Sequence, residues 1–297
     1  MSKRNYRPNI TPNRYTKFLS RNSSIENDKN NKNDKTVIMV WKQSFFNLSQ
    51  DNFWGLGDLI RGVIGLFKIC KKYNFKMIAD LSLHPLSQFL KYEDHQYSNI
   101  VRDTHNSIPF VMSNIVESYI INKLYTEGMD YVCICSNMSL SSYESECSEE
   151  LSEFIKNIFC PNDMFCEYLR KFSRKDYSII HYRLGDYCDK GNYDYKNAYD
   201  HLLRHYKESD IFITDSQKFK DIVRRDNVNI DVLNTKVCHI GYNSCYEDLR
   251  DTLVEFFMII NSKGIRSFST YGWISGFVYV IHYVFKVPLE GYTNLKF

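Results

Sequence analysis

Ser178-Ile-Ile-His-Tyr-Arg-Leu-Gly-Asp-Tyr187 decides how this chain is read. A β-branched strand delivers His181, Arg183 and Asp186 onto a turn that contains Gly185. An apolar strand has no packing need for Arg at its last position. Two uses remain. Arg183 faces an anion in the crevice where open α/β sheets bind ligands, or it closes the turn by pairing with Asp186. The motif alone leaves both open, and a phosphate-bearing ligand is the first hypothesis.

Outward from this strand the second half alternates strand and helix. A helix carries Tyr195, Ala198, Tyr199, Leu202, Leu203 and Tyr206 on one face; a strand follows at Asp210 to Thr214, then a helix capped by Asp215 or Ser216. Further strands are expected at Val237 to Ile240, Ile265 to Phe268 and Val287 to Leu289, with helices at Glu247 to Asn261 and Gly272 to Val284. The first half repeats the alternation: strands at Thr36 to Trp41, Lys76 to Leu81 and Asp130 to Ser136, helices at Gly57 to Tyr73 and Ser113 to Thr126, the latter with Ile115, Ile120 and Leu124 inward. A helix from Glu149 to Phe159 precedes one started by Pro161 at its first position. The expected organisation is a polar disordered tail over 1–35, a Rossmann-like lobe over 36–160, a helical linker over 161–175 and a second Rossmann-like lobe over 176–297.

Charge and cysteine usage narrow the function classes. Lys and Arg number 38 against 35 Asp and Glu, a net charge of +3, which lacks the concentrated basic face of a nucleic-acid binder. Nine cysteines fall without metal-ligand spacing, and Cys133, Cys135, Cys160 and Cys166 read as small buried hydrophobes, so a reducing compartment fits. The start lacks the apolar core of a signal peptide, and the longest apolar run, Phe277 to Phe285, is too short to span a bilayer. A cytoplasmic protein without a transmembrane segment is expected.

Three polar clusters fall at equivalent strand ends: His181 with Arg183, Thr214 with Asp215, and Ser269 with Thr270. Parallel strands bring such ends to one edge. Arg183 offers forked donors to a diphosphate; Ser269, Thr270 and the N–H groups opening the last helix offer more anion contacts. Asp215 offers a carboxylate to a base with N–H donors, which guanine suits best. Taken singly, Asp215 and Thr270 read first as helix caps. In the first half, Asn52-Phe-Trp-Gly-Leu-Gly-Asp-Leu-Ile-Arg-Gly62 sets Gly55 and Gly57 at a helix N-terminus, open to close approach by a ligand. It lacks the third glycine of the dinucleotide fingerprint, and the chain has no P-loop.

These segments together resemble the fucosyltransferase superfamily of α1,2-, α1,6- and protein O-fucosyltransferases. Gly55-Leu-Gly-Asp-Leu-Ile-Arg-Gly62 is similar to its first-lobe glycine turn, His181-Tyr-Arg-Leu-Gly-Asp186 to its His-x-Arg-x-x-Asp segment, and Ile213-Thr-Asp215 to its Thr-Asp strand end. Asp248 to Glu255 and Ser267 to Gly276 resemble the helix and Ser-rich turn that close the donor site. The resemblance implies a GT-B-like α/β fold, two Rossmann-like lobes with parallel sheets facing a central cleft. It implies inverting transfer of fucose from GDP-fucose to a glycan or protein hydroxyl, with no metal and no cofactor beyond the donor. Arg183 would bind the β-phosphate and stabilise the leaving diphosphate, His181 and Asp215 would hold the guanine end, and Ser269 and Thr270 would touch phosphate.

Several relatives carry a second Arg where this chain has Leu184. That departure motivates two alternatives, a nucleotide- or glycan-binding homologue with a decayed site and a transferase using another nucleotide-sugar. The general base is left unassigned: Asp58 and Asp186 are candidates, Asp186 equally as a loop lock and Asp58 equally as a helix-dipole partner, while His84 reads as a solvated loop residue or one facing the acceptor.

Overall fold

Two parallel sheets organise the computed structural model, which describes residues 35–41, 55–104, 115–136, 146–185, 188, 193–238, 240 and 244–297. The 1–35 tail, apart from Lys35, lies outside the described residues, as do Asp186 and the Gly191 turn.

Strand β1 (Thr36–Val40) is buried at all five positions because it is the central strand of the first sheet, in the order β2-β1-β3. Its partners are β2 (Lys76–Asp80) and β3 (Tyr131–Ile134), both parallel. Helix α1 (Leu56–Tyr73) joins β1 to β2 and ends at Asn74, whose φ of 55° supplies the left-handed turn of a helix C-terminus. Helices α2 (Ser98–Thr104) and α3 (Val116–Ile121), the latter running into a π-helical turn at Asn122–Thr126, complete this half. Ile120 and Leu124 are buried as expected, but Ile115 is exposed, since it stands at the N-cap, ahead of the buried face.

Helices α4 (Glu149–Ile158) and α5 (Asp163–Leu169) follow. Pro161 does not open α5. It forms an antiparallel bridge with Leu90, while Asn162 caps the helix by accepting the Phe165 N–H at 2.9 Å. Pro161 has no N–H to give; its neighbours make the bridge bonds, Lys91 N–H to Cys160 and Asn162 N–H to Phe89.

The second sheet has the order β6-β5-β4-β7-β8, all parallel. Strand β4 (Ser178–Arg183) is central. It is followed by α6 (Lys196–His205), β5 (Asp210–Thr214), α7 (Gln217–Asp226), β6 (Asp231–Val232), α8 (Tyr246–Ile260), β7 (Ile265–Ser269), α9 (Gly276–Phe285) and β8 (Leu289–Tyr292). The period of two sends Ile180 and Tyr182 into a core with Leu184, Ala198, Leu202, Phe212, Phe219 and Phe268. Burying side chains of this size contributes roughly 1.5–3 kcal/mol each. Leu203 of the expected α6 face is exposed instead. His181 and Arg183 therefore share the opposite face of β4.

Val237 to Ile240 is not a strand among its described residues. The Val237 N–H is taken by the Gln217 side chain at 2.7 Å, so the ladder bond a strand needs is already spent. The edge position passes to the two-residue β6.

Candidate active site

The carboxyl ends of β4, β5 and β7 lie side by side, with Tyr182 in register with Thr214 and Arg183 with Ser269. Beside them opens a cleft of about 620 Å³. Gly55, Gly57, Asp58 and Arg61 from the start of α1 line one wall, and His181, Arg183, Thr214, Asp215 and residues 273–277 line the other. Of the expected site residues, the structure gathers Gly55, Gly57, Asp58, His181, Arg183 and Asp215 here.

Two helices start at this cleft. Neither Gly55 before α1 nor Ser275 before α9 makes a side-chain cap, so the first N–H groups of both helices lack the usual side-chain acceptor. The two ends touch: a Cβ on Gly57 would meet the Phe277 nitrogen at 3.0 Å. Two uncapped N-termini put the positive ends of two macrodipoles at one cleft.

Arg183 joins them, paired to Asp215 at 2.8 Å. The same carboxylate accepts the Leu184 and Gly185 N–H groups at 2.7 and 3.0 Å. Burial pushes the Asp215 carboxyl up, opposed by Arg183 and those two donors. Asp215, expected to hold guanine, lines the cleft with its oxygens engaged by the turn and the guanidinium. The expected Arg183–Asp186 pairing falls outside the described residues; among the described residues Arg183 is ion-paired with Asp215.

His181 is buried, shares a 3.0 Å hydrogen bond with Ser267, and is pushed down to about 3 by burial and then by Arg183. It is therefore neutral near pH 7. Asp58, on the first turn of α1, is ion-paired with Arg61. Arg61 accordingly lines the cleft.

Ser269 and Thr270 do not line the cleft, contrary to their expected contact with phosphate. The Thr270 hydroxyl donates to the carbonyls of Leu184 at 3.0 Å and Arg183 at 3.4 Å, and the Ser269 hydroxyl accepts the Tyr271 N–H. Thr270 locks the turn after β4, and Ser269 the turn after β7. The wall they were assigned is supplied by Trp273 to Phe277. Trp273 is 64% exposed and stacks on Tyr271 at 4.9 Å between ring centres; Tyr271 in turn lies 5.6 Å from the Arg183 guanidinium carbon. His84 faces neither solvent nor cleft: it is buried, and its Nδ1 caps the Leu86 N–H.

The cleft lining also includes a group that sequence reasoning missed. Glu255 on α8 takes the fully buried Lys220 at 2.9 Å and the Thr235 hydroxyl at 2.6 Å, both on Oε1. Glu255 Oε2 makes no hydrogen bond among the described residues. The available signal was Glu255 flanked by Leu253, Val254, Phe256 and Phe257, where a carboxylate must be buried. Among the described residues no group of three or more His, Cys, Asp or Glu is arranged to hold a metal.

No family model matches the chain, and no curated protein matches it in sequence. Solved structures do match in fold. A NodZ α-1,6-fucosyltransferase co-crystallised with GDP superposes with a TM-score of 0.50 at 11% identity, over 84% of this chain and 92% of that one. The chain has a fucosyltransferase-like GT-B fold. NodZ from Bradyrhizobium gives a TM-score of 0.49 at 10% identity, over 84% and 93% of the two chains. POFUT1 in complex with GDP gives 0.40 at 8%, over 88% and 98%.

Within this GT-B fold, Leu184 is a core residue, 3% exposed and packed with Tyr182 and Cys188. Its side chain follows the inward phase of β4, so a cation at that position would point into the core.

Proposed function

We propose that the chain is an inverting glycosyltransferase that takes a GDP-sugar, with fucose as the sugar, and transfers it to a hydroxyl of a glycan or protein. One observation carries this reading: Arg183 and the uncapped N-termini of α1 and α9 meet on a single cleft. Forked donors and free N–H groups suit a diphosphate. The solved structures of similar fold include one with GDP and one soaked with GDP-fucose.

In the reaction, the acceptor oxygen bonds to the anomeric carbon as the carbon–oxygen bond to the β-phosphate breaks. The electron pair leaves with the phosphate, and the acceptor proton passes to a base. Charge grows on the β-phosphate, so a preorganised Arg183 favours the transition state over the ground state. Asp215, itself fixed by the Leu184 and Gly185 N–H groups that donate to it, holds that cation before any ligand arrives. Asp58 is the carboxylate of the α1 wall and the candidate base. Glu255 Oε2 takes the role first assigned to Asp215: it offers an acceptor to the adjacent N1–H and N2–H₂ donors of guanine. The exposed ring of Trp273 at the mouth offers an apolar face to an acceptor sugar.

The test is a thermal-shift panel of GDP, UDP, ADP and their sugars. A ligand at 100 times its dissociation constant adds about 2.7 kcal/mol. A shift with GDP and GDP-fucose alone is expected; equal shifts with UDP or ADP, or none, would remove the guanine donor. Leu184 in the core favours one second reading, a nucleotide-binding protein that does not turn over. GDP binding without hydrolysis or transfer of GDP-fucose would select it.

A further inference from the structure

A second hollow, of about 680 Å³, lies behind the segment 233–238, which gives Val237 and Cys238 to the cleft and Leu233 to Lys236 to this hollow. Its rim carries Lys171, Arg174, Arg224, Lys236 and Arg250, against the single acid Asp251. In a chain of net charge +3 that is a local concentration.

The cations differ in how far their charge is spent. Lys236 is ion-paired with Asp248 at 2.8 Å, and Arg250 with Asp251 at 2.9 Å. Arg174 and Arg224 stand 3.6 Å from Asp231 and Asp221, beyond hydrogen-bond distance, and both are exposed. Lys171 makes no ion pair among the described residues; its ammonium lies 4.9 Å from the ring centre of Tyr168. Arg174 donates once, to the Ser173 carbonyl at 3.3 Å, and Arg224 once, to the Leu233 carbonyl at 3.4 Å, so each fork keeps further N–H donors beside the Lys171 ammonium at the hollow.

Phe172 adds aromatic surface, 5.5 Å from the ring of Tyr168, which itself carries the Lys171 and Arg250 cations at 4.9 and 4.8 Å. Cations suit the oxyanion groups of an acidic sugar, and aromatic faces suit the C–H face of a pyranose. We propose that this hollow binds a glycan bearing two or more sulfate or carboxylate groups, at a site separate from the cleft and independent of the reaction assigned there. A nucleic acid is disfavoured, since the charge is confined to one hollow rather than spread along a face.

Isothermal titration with a heparin-derived hexasaccharide, the same hexasaccharide after desulfation, and inorganic tripolyphosphate tests the proposal. The sulfated hexasaccharide is expected to bind, and Arg174→Ala/Arg224→Ala is expected to weaken it at least tenfold while the GDP thermal shift stays as in the parent. Lys171→Glu, a single exposed change, is expected to act in the same direction. Binding of the desulfated sugar, which keeps its carboxylates, assigns the recognised group as carboxylate; its loss assigns sulfate. No binding by either sugar, tripolyphosphate binding as tightly as the hexasaccharide, or undiminished binding in the variants overturns the proposal.

Discussion

Gly57 of α1 and Phe277 of α9 approach closely at the cleft wall, so that a Cβ on Gly57 would require the α9 backbone to give by a few tenths of an ångström. A methyl group there would stand 3.0 Å from the Phe277 nitrogen and 3.1 Å from the Gly276 carbonyl carbon. Gly57→Ala should therefore push the two helix N-termini apart. The expected cost is about 1–3 kcal/mol of stability, together with a several-fold weaker GDP response. Urea unfolding and nucleotide titration of the same variant check both; an unchanged GDP affinity would mean that the two termini do not act on one ligand.

Arg183→Ala should abolish the GDP-dependent thermal shift and lower any transfer rate on the order of 10²–10³-fold. It also leaves the Asp215 carboxylate with two N–H donors and no cation, at a cost of about 1–3 kcal/mol. Adding Asp215→Asn should restore part of the stability and none of the nucleotide response. Recovery of GDP binding in the double variant would show that the guanidinium serves the turn alone.

The buried Lys220–Glu255 pair gives a stability prediction of the opposite design. Lys220→Met leaves a buried carboxylate uncompensated and should cost about 3–5 kcal/mol, whereas Lys220→Met with Glu255→Leu should recover most of it. Denaturant midpoints distinguish the two. Glu255→Gln keeps the shape and should relax the preference for GDP over other nucleotides.

His181 gives a pH prediction. Its ordinary value of 6.5 is pushed down to about 3 in the fold, so between those limits the unfolded chain binds a proton that the folded chain does not. Stability should fall as pH drops from 6.5 toward 3, by up to about 1.4 kcal/mol per pH unit, with no such slope above pH 7. His84, also pushed down to about 3 by burial, adds a second proton of the same sign. His181→Gln should remove one of the two; an identical slope of unfolding free energy against pH would place the imidazole in water.

Much of this was legible in the chain. The β-branched run 178–183 fixed β4, and its alternation put His181 and Arg183 on one face. The alignment of three strand ends followed from parallel pairing. What could not be read was where hydrogen bonds would be spent. Ser269 and Thr270 look like anion ligands until the carbonyls of Arg183 and Leu184 claim the Thr270 hydroxyl and the Tyr271 amide claims that of Ser269. Val237 to Ile240 has strand composition, yet one side-chain amide oxygen, on Gln217, takes the N–H the ladder required. Lys220 and Glu255 lie 35 residues apart, and only the packing of α7 against α8 reveals that each neutralises the other.

Helix α9 follows β7 in the chain but lies against α1 and α4 as well as α8, and Val284 accepts the Ser152 hydroxyl at 2.8 Å. Its Val278, Val280, Ile281 and Val284 are fully buried. A gene cut before β4 would thus yield a carboxyl-terminal fragment with a greasy stripe stripped of its cover and an amino-terminal one missing a wall. The two pieces should be insoluble when expressed singly and reassociate when produced together, which makes the segment between α5 and β4 a site for split-reporter insertion rather than for dissection.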